Sequence, residues 1–207
     1  MTSLRPAYRG AVRRVAALAR AAAPDALARA VPATPDWDAH DLLAHLAGAA
    51  HDAVHGRMDG APGPAWSARH VGERRGRTAA DLADELERCA AALPPQPPDR
   101  PTPEWDLLVH EADLREAWGL DRQPVDAWRP LLVRAAAFLA AGADGAGLTV
   151  ATPTSVWDLG GGRRVDVSCD DHDLLRLLFA RGDARRATRS PGDAEALTAL
   201  AFFAPSR

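Results

Sequence analysis

The sequence of 207 residues contains no lysine, no isoleucine and no asparagine, so all 25 of its basic residues are arginine. The absence of lysine excludes Schiff-base chemistry and the lysine of a phosphate-binding loop. The absence of asparagine excludes N-glycosylation and a Cys-His-Asn catalytic triad. These three residues share AT-rich codons, so their absence indicates a genome of high GC content.

Cysteines and long apolar runs are also scarce. The two cysteines, Cys89 and Cys169, form no CxxC motif and no disulfide framework, which favours a reducing cytoplasmic compartment. No apolar run reaches the roughly 18 residues of a membrane span, and the N-terminus lacks the apolar core of a signal peptide. With a net charge of −3, nothing indicates a nucleic-acid partner. We expect a soluble cytoplasmic protein, a monomer or a homodimer.

Helical patterns dominate the first 120 residues of the chain. Apolar spacing predicts helices over residues 4–23, 38–58, 78–93 and 104–118. Asp38 and Asp41 stand at the N-cap and N3 positions of the second helix, an Asp variant of the capping box. Gly119 closes the fourth helix. Four helices of this length predict a bundle.

The pattern changes after Gly119. A helix is predicted over residues 126–141, strands over 148–152, 155–159 and 164–168, and helices over 170–180 and 193–203. Gly160–Gly162 is predicted to form a hairpin turn between the last two strands. The expected fold class is therefore α+β, mostly α, with a helical bundle over residues 1–122 and a small α+β domain over residues 123–207.

Three residues have the chemistry and spacing of metal ligands. Asp106 and His110 are four residues apart on one helix, so both side chains lie on the same face and can chelate one divalent cation. His45, in the middle of the second helix among apolar residues, is the natural third ligand. The alternative is an ordinary i,i+4 Asp–His pair on a surface and a core histidine without a ligand.

A second histidine group competes with this one. His40, His51 and His55 form a stripe on another side of the second helix. Because Asp52 and Arg57 lie nearby, we interpret the stripe as a solvated polar face and keep a metal site there as the less favoured alternative.

The remaining candidates are aromatic and thiol side chains. Trp37 is placed to form a hydrophobic staple before the second helix. Trp105, beside Asp106, either packs in the core, which we favour, or lines a cavity. Cys89 lies on an inward helical face and is expected to be buried and inert, which leaves Cys169 as the better candidate for a reactive thiol.

Three segments resemble the mycothiol-dependent maleylpyruvate isomerase family. Residues 31–48, which read VPATPDWDAHDLLAHLAG, are similar to the family's first pattern, with a Pro, a Trp and an "Hlag" element. Residues 109–119, VHEADLREAWG, are similar to its second pattern. Residues 173–181, DLLRLLFAR, resemble a weaker pattern at the end of a helix in the family's small second domain.

The resemblance implies a DinB-like four-helix bundle that holds a divalent metal, usually Zn²⁺. The implied ligands are His45, Asp106 and His110, with the departure that the family has Glu where this chain has Asp106. Asp is one methylene shorter, so it must reach the metal by a small backbone shift or through water. Asp113 matches the second pattern's Asp and is expected to support the ligands.

The resemblance also implies an enzyme that uses mycothiol, a small thiol of actinobacteria, as cosubstrate. In the isomerase the thiolate adds to the cis double bond of maleylpyruvate, the adduct rotates about the resulting single bond, and elimination gives the trans isomer. Some relatives resemble S-transferases that join mycothiol to an electrophile. The substrate is a small electrophile or unsaturated acid, and Arg181 is the candidate that would bind its carboxylate. A helix-end cation is the alternative role of Arg181.

A protein of a different class is the competing hypothesis. A non-catalytic metal-binding, ligand-binding or regulatory module on the same fold would tolerate Asp106 in place of Glu. The high GC content agrees with an actinobacterial source, where mycothiol is made, and so favours the enzyme.

Overall fold

Helices dominate the computed structural model, which describes residues 3–97, 100–143 and 147–202. A two-stranded and a three-stranded sheet accompany them within these residues, so the predicted class, α+β and mostly α, is confirmed. The chain divides into two compact units, Ser3–Ala127 and the residues from Trp128 onward. The domain boundary placed near residue 122 stays a prediction. None of the described helices is both long and apolar enough to cross a membrane.

The first unit contains a helical bundle with a short strand pair. Its elements are α1 (Arg5–Ala21), α2 (Pro24–Leu27), β1 (Ala30–Val31), β2 (Thr34–Asp38), α3 (Ala39–His55), α4 (Pro64–Arg74), α5 (Ala79–Ala92) and α6 (Pro103–Trp118). Both α1 and α3 pack against α5 and α6, which gives the four-helix core expected from the sequence. The additional helix α4 packs against α3.

Local capping fixes the ends of α3 and α6. The carboxylate of Asp38 accepts a hydrogen bond from the backbone N–H of Asp41 at 2.8 Å, as the capping pattern predicts. Gly56, with φ of 71°, ends α3 in the left-handed conformation, slightly before the predicted end at Met58. Gly119, with φ of 64°, ends α6 in the same way. Few residues other than glycine adopt this conformation at low cost.

Helix α4 lies close to α3 because Gly48 has no side chain. The ring of His70 lies over this glycine, and a Cβ atom on Gly48 would lie 2.4 Å from His70 Cγ. Trp66, His70 and Val71 are buried on α4. The approach of the two helices therefore depends on one missing methyl group.

The second unit begins inside a long helix and continues through a small sheet. Its elements are α7 (Val125–Gly142, whose first residues belong to the first unit), β3 (Leu148–Ala151), β4 (Val156–Leu159), β5 (Arg163–Asp166), α8 (Asp171–Leu178), α9 (Ala184–Ala187) and α10 (Pro191–Ala199). Asp170 caps α8 as predicted, because its side chain accepts from the N–H of Asp173 at 2.9 Å. The predicted end of the last helix at Phe203 lies outside the described residues.

The predicted hairpin between β4 and β5 is wrong, because these strands lie on opposite sides of β3. Strand β3 pairs antiparallel with β4 and parallel with β5. The link Gly160–Gly162 therefore passes around the start of β3, where a Cβ atom on Gly147 would lie 2.4 Å from Gly160 Cα. All three glycines of the link have positive φ. The glycines therefore allow the link to pass close to the backbone at the start of β3, and they do not form a turn between two paired strands.

A buried carboxylate joins α8 to the sheet of the second unit. Asp171 Oδ1 accepts hydrogen bonds from Thr152 Oγ1 at 2.6 Å and Trp157 Nε1 at 3.0 Å. Its Oδ2 accepts from Ser155 Oγ at 2.8 Å and from the guanidinium of Arg129 at 3.1 Å. Burial raises the pKa of Asp171, but these donors outweigh burial and lower it overall.

Replacing Gly48 by alanine tests the α3–α4 contact. Alanine favours a helix by up to about 1 kcal/mol over glycine, but here its methyl group would collide with His70. We expect Gly48→Ala to lower the free energy of unfolding by about 1–3 kcal/mol, the usual range for overpacking. The control is Gly72→Ala on α4, where the new Cβ meets open space and stability should not fall. Urea unfolding of the full chain measures both, and equal stabilisation by the two substitutions would contradict the contact.

Replacing Asp171 tests the carboxylate network. Asp171→Asn leaves buried donors without their charged acceptor and should cost about 1–3 kcal/mol at neutral pH. Because the folded-state pKa of Asp171 is lowered, its contribution is present above the unfolded value of about 3.9 and is lost as the pH falls through the folded value. The difference between the two proteins should therefore shrink in acid, as followed by urea unfolding. Asp166→Asn, at an exposed side chain, should change stability by less than about 0.5 kcal/mol.

Candidate metal centre

Three potential ligand side chains meet inside the bundle. His45 comes from the middle of α3, and Asp106 and His110 come from successive turns of α6. His45 Nε2 lies 3.2 Å from Asp106 Oδ2, and His110 Nε2 lies 3.4 Å from Asp106 Oδ1. One candidate ligand atom from each residue lies within 4.8 Å of the other two. The structure thus brings together the three residues chosen from the sequence, and their role as ligands stays a prediction at this point.

Each imidazole uses its second nitrogen for a hydrogen bond on the far side of the ring. His110 Nδ1 donates to a carboxylate oxygen of the fully buried Asp113 at 2.8 Å. His45 Nδ1 lies 3.2 Å from Nδ1 of His70. A hydrogen bond donated by the outer nitrogen leaves the lone pair of Nε2 available to a metal. Asp113 is therefore placed to orient His110.

His70, which is fully buried on α4, was not among the site residues predicted from the sequence. The buried positions of this helix are Trp66, His70, Val71 and Arg74. Because half of them are polar, the helix lacks the hydrophobic periodicity on which the prediction relied. The signal that could have found it is the one-turn spacing of residues 66, 70 and 74 behind Pro64, which stands at the start of the helix.

Asp52 is buried, which corrects the interpretation that it borders solvent. It accepts hydrogen bonds from Arg69 and from Nε2 of His70, the latter at 3.0 Å, and His51 Nδ1 lies 3.3 Å away. Burial raises the pKa of Asp52, but these partners outweigh burial and hold it at about 2. Burial lowers the pKa of His70 to about 4 despite the hydrogen bond to Asp52. At neutral pH the pair is thus a carboxylate and a neutral imidazole.

The competing histidine stripe has other partners. His51 and His55 stack with ring centroids 4.1 Å apart, and Nε2 of His40 lies 2.8 Å from the backbone carbonyl of Arg77. Among the described residues, the clusters with ligand-like proximity do not contain His51 or His55. His40 falls in a cluster at the start of α3, where the Asp38 carboxylate is already engaged in capping.

The three ligand candidates form a site that would attract a positive charge. Asp106 Oδ2 is buried and accepts no hydrogen bond from the described residues. Burial raises the pKa of Asp106, but the two imidazoles outweigh burial and hold it well below its usual range. For His110 burial lowers the pKa, but Asp106 and Asp113 outweigh burial and raise it. Two imidazoles and one carboxylate form a donor set that suits Zn²⁺ and related divalent metals, so the residues present fit the implied ion.

Tryptophans surround His45 with apolar surface. The Trp37 ring lies 5.0 Å from the His45 ring between centroids, and the Trp66 ring meets it edge-on at 5.8 Å. Trp37 is half-buried and stands just before the Asp38 cap, and Trp66 is buried. Trp105 is only 1% exposed, which agrees with the favoured expectation of core packing.

The other predicted residues lie elsewhere. Arg181 is in the second unit just beyond α8, where its guanidinium donates to the backbone carbonyl of Phe179 at 2.6 Å. Cys89 is buried, as expected. Burial, followed by the charge of Asp173, raises the pKa of Cys169 to about 11. Cys169 is therefore a thiol at neutral pH, which argues against a nucleophilic role.

Comparison with known proteins relates this arrangement to a family. The model of the "Mycothiol maleylpyruvate isomerase N-terminal domain" family matches residues 8–129. No curated protein sequence matches the chain. A crystal structure of the mycothiol-dependent maleylpyruvate isomerase is similar, with a TM-score of 0.57, 14% identity, and coverage of 93% of this chain and 97% of that one. The crystal structure of a mutant of that isomerase matches at a TM-score of 0.56, with the same identity and coverage.

The structural matches and the family match establish different things about the chain. At 14% identity, the structural matches show a shared fold. The family match spans more than half of the sequence and includes all three residues of the candidate centre. The chain therefore belongs to the mycothiol maleylpyruvate isomerase family of enzymes.

Proposed function

We propose that this protein is a metal-dependent enzyme that uses mycothiol to isomerise a maleylpyruvate-like unsaturated acid. The observation that carries the proposal is the convergence of His45 Nε2, His110 Nε2 and the Asp106 carboxylate, with the outer nitrogen of each imidazole already hydrogen-bonded. Family membership supplies the thiol and the substrate class. A divalent metal at this position would act as a Lewis acid that holds a bound thiol as its thiolate at neutral pH.

The residues of the chain have distinct tasks in this proposal. His45, Asp106 and His110 hold the ion from one side, as three protein ligands do in sites that keep open positions for exchangeable molecules. Asp113 holds the His110 ring in place. Trp37 and Trp66 limit water around His45, which strengthens the electrostatic interactions of the site.

Arg181 is proposed to bind a carboxylate of the substrate. Support comes from the similarity of residues 173–181 to the family's C-terminal pattern and from the planar fork that guanidinium offers to a carboxylate. Because the chain has no lysine, an arginine is the side-chain cation available for this task at neutral pH.

Metal analysis of ligand variants tests the centre. His45→Ala and His110→Ala should reduce the metal content of purified protein to background, because two ligands hold a divalent ion far more weakly than three. His55→Ala, at an exposed histidine at the end of α3, should keep the full content. Elemental analysis gives the content, and circular dichroism checks that each variant is folded. Full metal content in both folded ligand variants would overturn the assignment.

A turnover assay tests the reaction. The holoenzyme with mycothiol and maleylpyruvate should form the trans isomer without net loss of thiol, because the sulfur that adds is later eliminated. Accumulation of a thioether with equal loss of mycothiol would instead identify an S-transferase. Stoichiometric metal without either product, over a panel of unsaturated acids and electrophiles, would favour the non-catalytic binding module.

Substitution of Arg181 separates its two possible roles. If it binds a substrate carboxylate, Arg181→Gln should raise KM about 10-fold or more, as loss of a charge-assisted hydrogen bond does. The control is Arg186→Gln, at a side chain that is 90% exposed. A fall in stability with an unchanged KM would mean that Arg181 acts only as a cation at the end of α8.

A further inference from the structure

His70 contacts a candidate metal ligand without being one. Both nitrogens of its buried ring are engaged: Nε2 lies 3.0 Å from Asp52 Oδ2, and Nδ1 lies 3.2 Å from His45 Nδ1. These contacts form a continuous chain, Asp52–His70–His45, that leads from a buried carboxylate to the candidate metal centre.

The direction of the hydrogen bonds follows from chemistry. An ionised carboxylate can only accept, so Nε2 of His70 carries the hydrogen that it donates to Asp52. When His70 is neutral, as imidazoles are in alkaline solution, its one N–H is used on Asp52, so its Nδ1 is an acceptor. His45 Nδ1 must therefore donate to it. The lone pair of His45 is then on Nε2, the nitrogen that lies 3.2 Å from Asp106 Oδ2.

The arrangement of α3 explains why a second histidine is needed. Asp52 lies on the same helix as His45 but seven residues later, which is about 10.5 Å along the axis. At about 100° per residue, His45, Gly48 and Asp52 share one face of α3. Asp52 is too far away to contact His45 directly, and the His70 ring bridges the two by lying over Gly48. His110 needs no bridge, because Asp113 is one turn away and bonds to it directly.

We propose that His70 is a positioning residue that, together with Asp52, fixes His45 as the tautomer protonated on Nδ1 and aims its Nε2 at the metal. The consequence for a metal rests on the proposed function above, whereas the tautomer does not. The two imidazole ligands are thus each connected to a buried carboxylate, His110 directly and His45 through His70. Outer hydrogen bonds of this kind usually change metal affinity by about 10- to 100-fold.

The tautomer is tested on the metal-free protein, without any variant. Nitrogen-15 NMR distinguishes protonated from unprotonated ring nitrogens, and the spectra are followed to increasing pH until the ring signals no longer change. We expect His45 to be protonated on Nδ1 and His70 on Nε2. A His45 protonated on Nε2, or an equal mixture of tautomers as in a free imidazole, would overturn the proposal.

The effect on metal is tested by substitution and rescue. His70→Phe keeps a ring over Gly48 but removes the acceptor, so Zn²⁺ affinity, measured by competition with a chelator, should fall about 10- to 100-fold and His45 should lose its single tautomer. His70→Asn places an amide oxygen near the position of Nδ1 and should recover much of both. His55→Phe, at an exposed histidine of α3, is the control and should change neither.

The outcomes separate this proposal from the proposed function. Unchanged affinity and an unchanged His45 tautomer in His70→Phe would show that His70 only fills space. Failure of His70→Asn to recover the tautomer would likewise contradict an acceptor role. If the unaltered protein has the expected tautomer but does not bind Zn²⁺, the positioning of His45 stands and the metal-dependent function fails.

Discussion

A carboxylate and two imidazole nitrogens that present lone pairs to one another repel, and a positive charge between them relieves that repulsion. Asp106 faces His45 and His110 in this way, at 3.2 and 3.4 Å. Burial increases the demand, because the low dielectric inside the bundle strengthens both the repulsion and any compensating attraction. A proton on His110, whose pKa is raised, can meet the demand in part. A divalent cation meets it for all three groups.

Surrounding hydrogen bonds keep the lone pairs of the two imidazoles directed toward Asp106. If the Nδ1 atoms were free, each imidazole could turn or change tautomer and present an N–H to Asp106, and the arrangement would become an ordinary hydrogen-bonded pair. Asp113 opposes this for His110, and His70 with Asp52 opposes it for His45. The bridge in turn depends on Gly48, since a methyl group there would occupy the space of the His70 ring. The close packing of α3 and α4 at Gly48 therefore affects which nitrogen of His45 faces the candidate metal centre.

Sequence patterns predicted the parts of this arrangement that are local. The Asp38 cap, the glycine at the end of α6 and the i,i+4 spacing of Asp106 and His110 are set by residues within a turn or two. His45 could be predicted as a site residue because it is a polar residue within an apolar face of its helix. Hydrophobic periodicity indicated neither His70 nor the burial of Asp52, since both depend on α4, a helix in which two of the four buried residues are polar. The hairpin between β4 and β5 was wrongly predicted for a similar reason. Three consecutive glycines indicate a close approach of two backbone segments, but the segment that they approach here, at the start of β3, lies earlier in the chain.

The aspartate at position 106 shows how the helices themselves set the geometry of the centre. The family pattern that the sequence resembles has glutamate at this position, and the shorter side chain implied a backbone shift or a bridging water. In the structure, each oxygen of Asp106 faces a different imidazole from an unbroken α6. A shorter side chain has fewer rotamers to lose on ordering, but it also has less reach to adjust. The positions of the three candidate ligand atoms therefore depend on how closely α3 and α6 approach, and an ion bound there would have to fit the spacing that the bundle provides.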